Sequence, residues 1–277
     1  MLGTIALDID GTITAERHRL PRGVVAYLSQ LAHMGWRFVF ITGRTFSWGY
    51  SVLKELDFPY YLAVQNGAII LEMPSRTILC KQYLDKGVFE AMDEICRHEK
   101  TDYVLYGGVE YGDICYFRPE FFSKNMLTYV QQRTAAIKEN WHPVSSYEDI
   151  DISEFPSIKC FGDQESALRI SEKIQVLGLC APPIRDPFDE NYFVVQATHS
   201  KICKGQALQD LSRLFPEGLG KVVAAGDDLN DITMLAAADI KVVMATAPPE
   251  MLQLADIVAP PASEEGIIEG LRQALQK

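Results

Sequence analysis

Between residues 4 and 64, short apolar runs alternate with stretches of helical periodicity. The runs 4–7, 38–41 and 61–64 are apolar on both sides of the pleat, the mark of parallel strands covered on both faces. The intervening stretches 23–34 and 46–56 repeat their apolar positions at helical spacing, so the order reads βαβαβ. A doubly wound parallel sheet is the expected product. Residues 68–83 read as a hairpin turning at Pro74 and Ser75, and they close the first half.

The last part of the chain resumes the same grammar. Helices are expected at 204–215, 231–238 and 249–255, strands at 222–225, 241–244 and 257–258, and a closing helix from 264. The middle differs, with strand candidates at 103–106, 114–117 and 158–161 and helices at 120–138 and 165–177. Without strict alternation this predicts an α+β insert with an antiparallel sheet. The expected fold class is therefore α/β, a Rossmann-like doubly wound core in two parts, 1–83 and 196–277, interrupted by an inserted domain at 84–195.

Composition narrows the class of function. With 277 residues, 48% of them apolar and 23% charged, the chain can bury a sizeable core, so disorder throughout is excluded. Its 26 basic and 37 acidic residues give a net charge of -11, which repels a phosphate backbone and argues against nucleic acid as partner. No apolar run is long enough for a membrane span, and the first residues lack the pattern of a secretory signal, so a cytoplasmic location is expected. The six cysteines contain no CxxC pair and the five histidines no ligand spacing, which leaves them as free thiols and as surface or packing residues.

Four strand ends carry candidate chemistry. Asp8 and Asp10, with Gly11 and Thr12, follow the first strand, where an open α/β sheet exposes residues to its ligand crevice rather than to its core. Thr42, Gly43 and Arg44 follow the second strand, with a glycine that lets backbone approach a phosphate. Lys204 and Gly205 open a helix, and a cation beside free helix N–H groups makes an anion site, with Lys201 a competitor for the role. Asp227, Asp228, Asn230 and Asp231 follow a fourth strand; carboxylates so crowded repel one another without a cation, and hard oxygen donors suit Mg²⁺. Gly218, Gly220 and Lys221 lack the spacing of a phosphate loop and precede a strand.

Taken in order, DxDGT at Asp8 to Thr12, TGR at Thr42 to Arg44, KG at Lys204 and Gly205 and GDDLND at Gly226 to Asp231 resemble the haloacid dehalogenase-like hydrolase superfamily. Gln65-Asn66-Gly67-Ala68 and Asp231-Ile232-Thr233-Met234-Leu235 make the chain similar to its Cof-type subfamily with a C2B cap. The resemblance implies a phosphatase in which Asp8 is the nucleophile that becomes an aspartyl-phosphate and Asp10 the general acid and base. It further implies Mg²⁺ held by the Asp8 and Asp227 side chains and the Asp10 main-chain carbonyl, with Asp231 in support. Thr42, Gly43, Lys204 and Asn230 would hold the phosphoryl group of a small phosphomonoester, and 84–195 would be the cap. Tyr111, Arg118, Arg185 and Tyr192 are the cap's candidates for substrate contact. A phosphomutase of the same fold and a non-catalytic phosphate-binding protein are the alternatives. The chain departs from the subfamily at Met244-Ala245-Thr246-Ala247, where Met-Gly-Asn-Ala is usual, and at Lys201 and Cys203, where Gly and Ser are usual.

Overall fold

The computed structural model describes residues 2–277 except Arg17, Lys100, Pro187 and Glu190. It divides into two compact units. One comprises Met1–Arg44, Gly49–Lys81 and Cys203–Lys277; the other comprises Thr45–Trp48 and Gln82–Ile202.

The first unit is built on an eight-stranded sheet. Its order is Ile257–Ala259, Ile240–Met244, Lys221–Gly226, Gly3–Leu7, Trp36–Ile41, Tyr60–Val64, Ile69–Met73 and Thr77–Lys81. The first six strands run parallel and the last two are antiparallel. Every residue of Gly3–Leu7 is buried, as expected of a strand with a neighbour on each side and helices over both faces. The helices supply the cover through helically spaced apolar positions, Val24, Leu28 and Leu31 in Arg22–His33 and Ala207, Leu208 and Leu211 in Lys204–Leu214. The expectation of a doubly wound parallel core is met, and the hairpin at 68–83 adds the antiparallel edge.

The connections matter for function. From Gly3–Leu7 the chain winds outward through Trp36–Ile41 and Tyr60–Val64. After the insert it returns to the other side of Gly3–Leu7 and winds outward again through Lys221–Gly226, Ile240–Met244 and Ile257–Ala259. The winding therefore reverses between Gly3–Leu7 and Lys221–Gly226, and the carboxyl ends of strands at such a switch point open a crevice. The register makes these ends level, since Leu7 pairs with Ala225 on one side and Phe40 on the other.

The second unit holds a six-stranded sheet ordered Pro183–Arg185, Phe193–Ala197, Ser157–Gly162, Tyr103–Tyr106, Cys115–Phe117 and Trp141–Pro143. All neighbours are antiparallel except the last pair, which is parallel. Alternation along the central strand feeds two cores: Ile158 and Cys160 join the cluster with Met92, Ile170 and Ile174, and Phe161 joins the other with Tyr129 and Val130.

Several elements differ from the sequence reading for local reasons. The helix expected at 120–138 begins at Lys124, because Pro119 opens a separate short turn and the Ser123 side chain caps the helix by accepting from the Met126 amide at 3.3 Å. The helix expected at 231–238 is the short Ile232–Ala236, and the closing helix is Ile267–Ala274. The helix Phe89–Arg97 and the strand Phe193–Ala197 were not expected at all. All six cysteines are free, with Cys96, Cys115 and Cys160 buried and Cys80, Cys180 and Cys203 half-buried. Among the described residues, no helix is long and apolar enough to cross a membrane.

Candidate active site

Asp8 leaves the end of Gly3–Leu7 with its amide donating to Ala225 O at 3.0 Å, which extends the parallel pairing one residue into the crevice. Its side chain is buried. The Lys204 Nζ donates to Asp8 Oδ1 at 2.5 Å and to Asp231 Oδ1 at 2.5 Å. Lys204 can reach both because it begins a helix whose start is buried against the short helix Ile232–Ala236. There the Gly205 amide donates to Thr233 Oγ1 at 3.1 Å, and a Cβ on Gly205 would lie 2.3 Å from Thr233 O. Lys201 is exposed, so Lys204 is the lysine of this cluster.

Asp227 completes the acidic group. Carboxylate oxygens of Asp8, Asp227 and Asp231 lie within 4.8 Å of one another. Thr12 Oγ1 donates to Asp227 Oδ1 at 2.9 Å, and Asp231 Oδ2 accepts from the Asp227 and Asp228 amides at 3.0 and 3.2 Å. Gly11, at φ 71°, permits this approach, because a Cβ there would sit 2.1 Å from Asp227 Oδ2.

The charges in this cluster do not balance. Burial, with repulsion from Asp231 and Asp10, outweighs the attraction of Lys204 and pushes the Asp8 carboxyl up to about 7. Burial and the neighbouring Asp8 and Asp231 hold the Asp227 carboxyl well above the usual range. Burial opposes the charge on Lys204 too, yet two facing carboxylates keep it above its ordinary value. One cation shared by several buried acids leaves a deficit of positive charge, and hard oxygen donors in that state fit a divalent ion such as Mg²⁺. Asp231 already spends both oxygens on Lys204 and backbone amides. Asp8 and Asp227 are thus the side chains best able to face a metal.

Asp10 is set apart. Its carboxylate accepts from Arg44 Nε at 2.7 Å and Nη2 at 2.5 Å, a forked pair. Arg44 is 1% exposed while the Asp10 side chain is 35% exposed, so a buried guanidinium steers a carboxylate that remains accessible. Thr42 is buried, its hydroxyl accepting from the Arg44 amide at 3.2 Å, and Gly43 beside it is half-buried. Asn230 reaches across to the loop after Tyr60–Val64, its Nδ2 donating to Asn66 Oδ1 at 3.2 Å.

The motifs that contain Arg44, Thr12 and Asn66 assign these three residues no specific role. Arg44 and Asn66 stand in quoted motifs, but only the fold shows that the first is aimed at Asp10 and the second at Asn230. In the second unit, Arg118 is unavailable to a ligand. It forks to Asp102 at 2.9 and 2.7 Å, reaches Asp93 at 2.7 Å and lies over the rings of Tyr103, Phe121 and Tyr147. Tyr192 stacks on Tyr129 at 3.8 Å, whereas Tyr111 and Arg185 are exposed.

Known proteins place the chain in a family. The phosphoglycolate phosphatase of Methanoculleus marisnigri is 28% identical over 280 residues, covering 100% of this chain and 97% of its own. The HMP-PP phosphatase of Serratia proteamaculans is 25% identical over 254 residues, covering 90% and 86%. Among solved structures, a haloacid dehalogenase-like hydrolase from Bacteroides thetaiotaomicron superposes with a TM-score of 0.79 at 20% identity, covering 99% of this chain and all of that one. Residues 5–271 match the family as a whole, and the chain belongs to the haloacid dehalogenase-like hydrolases.

Proposed function

We propose that the protein is a Mg²⁺-dependent phosphatase that hydrolyses a small phosphorylated metabolite through an aspartyl-phosphate on Asp8. The observation that carries this reading is the division of labour at the first strand end. Asp8 is buried against Lys204 and close to Asp227 and Asp231, while Asp10, two residues on, is held apart by Arg44.

In the first step an Asp8 carboxylate oxygen attacks phosphorus, the bond from phosphorus to the leaving oxygen breaks, and Asp10 gives that oxygen a proton. In the second, water attacks the phosphorus of the aspartyl-phosphate, Asp10 takes its proton, and Asp8 is released with inorganic phosphate. Thr42, Gly43, Lys204 and Asn230 hold the phosphoryl oxygens, whose charge must be matched throughout the transfer. The metal, when bound by Asp8, Asp227 and the Asp10 main-chain carbonyl, supplies positive charge that offsets repulsion between an anionic nucleophile and an anionic substrate.

A small substrate is supported by relatives named for such compounds, and the net charge of -11 disfavours nucleic acid. We assign residues 84–195 as the cap, supported by the separate core of Gln82–Ile202, and a cytoplasmic site of action. Phosphate release from a panel of phosphomonoesters should require Mg²⁺ and stop on adding EDTA. Asp227→Ala should raise the Mg²⁺ needed by more than about tenfold, since losing even an outer-shell partner of a metal ligand typically costs about 10–100-fold in metal affinity. Release that ignores EDTA, or none from any ester, would overturn the reading.

A further inference from the structure

Three consecutive residues after the strand Tyr60–Val64 have positive φ: Gln65 at 52°, Asn66 at 59° and Gly67 at 102°. Glycine enters this region freely and asparagine more readily than most residues, but glutamine adopts it rarely, and a run of three persists where its surroundings dictate it. The surroundings do so here. The Gln65 amide donates to Arg44 O at 3.0 Å and the Asn66 amide to Thr42 O at 2.8 Å, which ties the turn to the loop after Trp36–Ile41. A Cβ on Gly67 would lie 2.9 Å from the Ala207 Cβ, so the same turn is pressed against the helix that carries Lys204.

The Asn66 side chain extends this bracing to the fourth motif. It is 6% exposed, and its Oδ1 accepts from Asn230 Nδ2 at 3.2 Å. An amide nitrogen has two hydrogens, so a bond to Asn66 fixes which end of Asn230 donates and leaves the second hydrogen for another acceptor. We infer that Asn66 is a positioning residue, whose carbonyl oxygen turns the Asn230 amide so that Nδ2 donates to the phosphoryl group. This rests on the reading that Asn230 contacts that group. Asn66 itself touches no substrate.

The test is a double-mutant cycle over Asn66→Gly and Asn230→Ala, read both as kcat/KM for phosphate release and as affinity for inorganic phosphate by calorimetry. Glycine adopts this backbone without strain, which offsets part of the cost of the lost side chain, so Asn66→Gly should stay folded and melt within a few degrees of wild type. Each single variant should lose about tenfold in both readouts, and the double variant should fall no more than about twofold below Asn230→Ala. Losses that multiply in the double variant would overturn the inference, as would an unaffected Asn66→Gly. A loss in Asn66→Ala alone would assign the effect to the backbone of the turn and also overturn it. Should wild type release no phosphate from any ester, the phosphatase reading fails, while the phosphate affinities still decide the role of Asn66.

Discussion

Asp8→Asn is expected to reduce phosphate release by about 10⁴-fold or more, the scale seen when a nucleophile is removed from an otherwise intact site. The amide cannot attack phosphorus, and no other carboxylate can replace it. Asp10 is turned to Arg44, and Asp231 is spent on Lys204 and two amides. The fold should not suffer. The Asp8 carboxyl is pushed up to about 7 by burial and by Asp231 and Asp10, against roughly 3.9 in an unfolded chain. Its ionisation therefore costs stability, a cost absent below about pH 4 and fully present only above pH 7. In the absence of metal, Asp8→Asn should melt at or above wild type at pH 8, and the gap should close as the pH falls toward 4. Retained turnover, or a melting temperature that drops at pH 8, would contradict this account of Asp8.

Lys204→Met is expected to damage both activity and stability. The lysine is 1% exposed and is shared by Asp8 and Asp231. Without it two buried carboxylates lose their cation, and breaking a buried pair by removing one partner typically costs about 3–5 kcal/mol. Its folded-state value lies above the ordinary one because of those two carboxylates. The stability it contributes is thus present across neutral pH and is lost only as the pH rises through that elevated value. Lys204 also holds the Asp8 carboxyl down, so its loss pushes that carboxyl further up, and the deficit of the variant, measured by denaturant unfolding, should grow from pH 7 to pH 9. Mg²⁺ should restore part of it, since the metal relieves the same repulsion. Phosphate release should fall by about 10³-fold, comparable to deleting one preorganised oxyanion donor. An unchanged unfolding midpoint would show that the lysine does not hold these acids.

Much of this was legible in the chain because it depends on local pattern. Apolar runs without polar alternation identified the parallel strands, and the motifs at their ends fell on the loops at the switch point between Gly3–Leu7 and Lys221–Gly226. The KG motif points to Lys204, and the fold excludes Lys201 from sharing its place, because one is buried between carboxylates and the other is exposed. The forked pair of Arg44 and Asp10 is likewise a matter of side-chain direction across two loops, which residue order does not encode. Arg118 shows the opposite error. A charged residue in the insert suggested substrate contact, yet two carboxylates and three aromatic rings consume it. The strand Phe193–Ala197 is not legible in the chain because one of its two partners, Ser157–Gly162, lies far off in sequence.

The central claim is that phosphate passes through a covalent bond to Asp8. The most direct measurement is a rapid acid quench during turnover with Mg²⁺, followed by peptide mapping by mass spectrometry. The account predicts a phosphoryl group on the peptide containing Asp8, removed by hydroxylamine and absent in Asp8→Asn. Active enzyme that carries no such group at any time in the pre-steady state, or carries it on another residue, would contradict it.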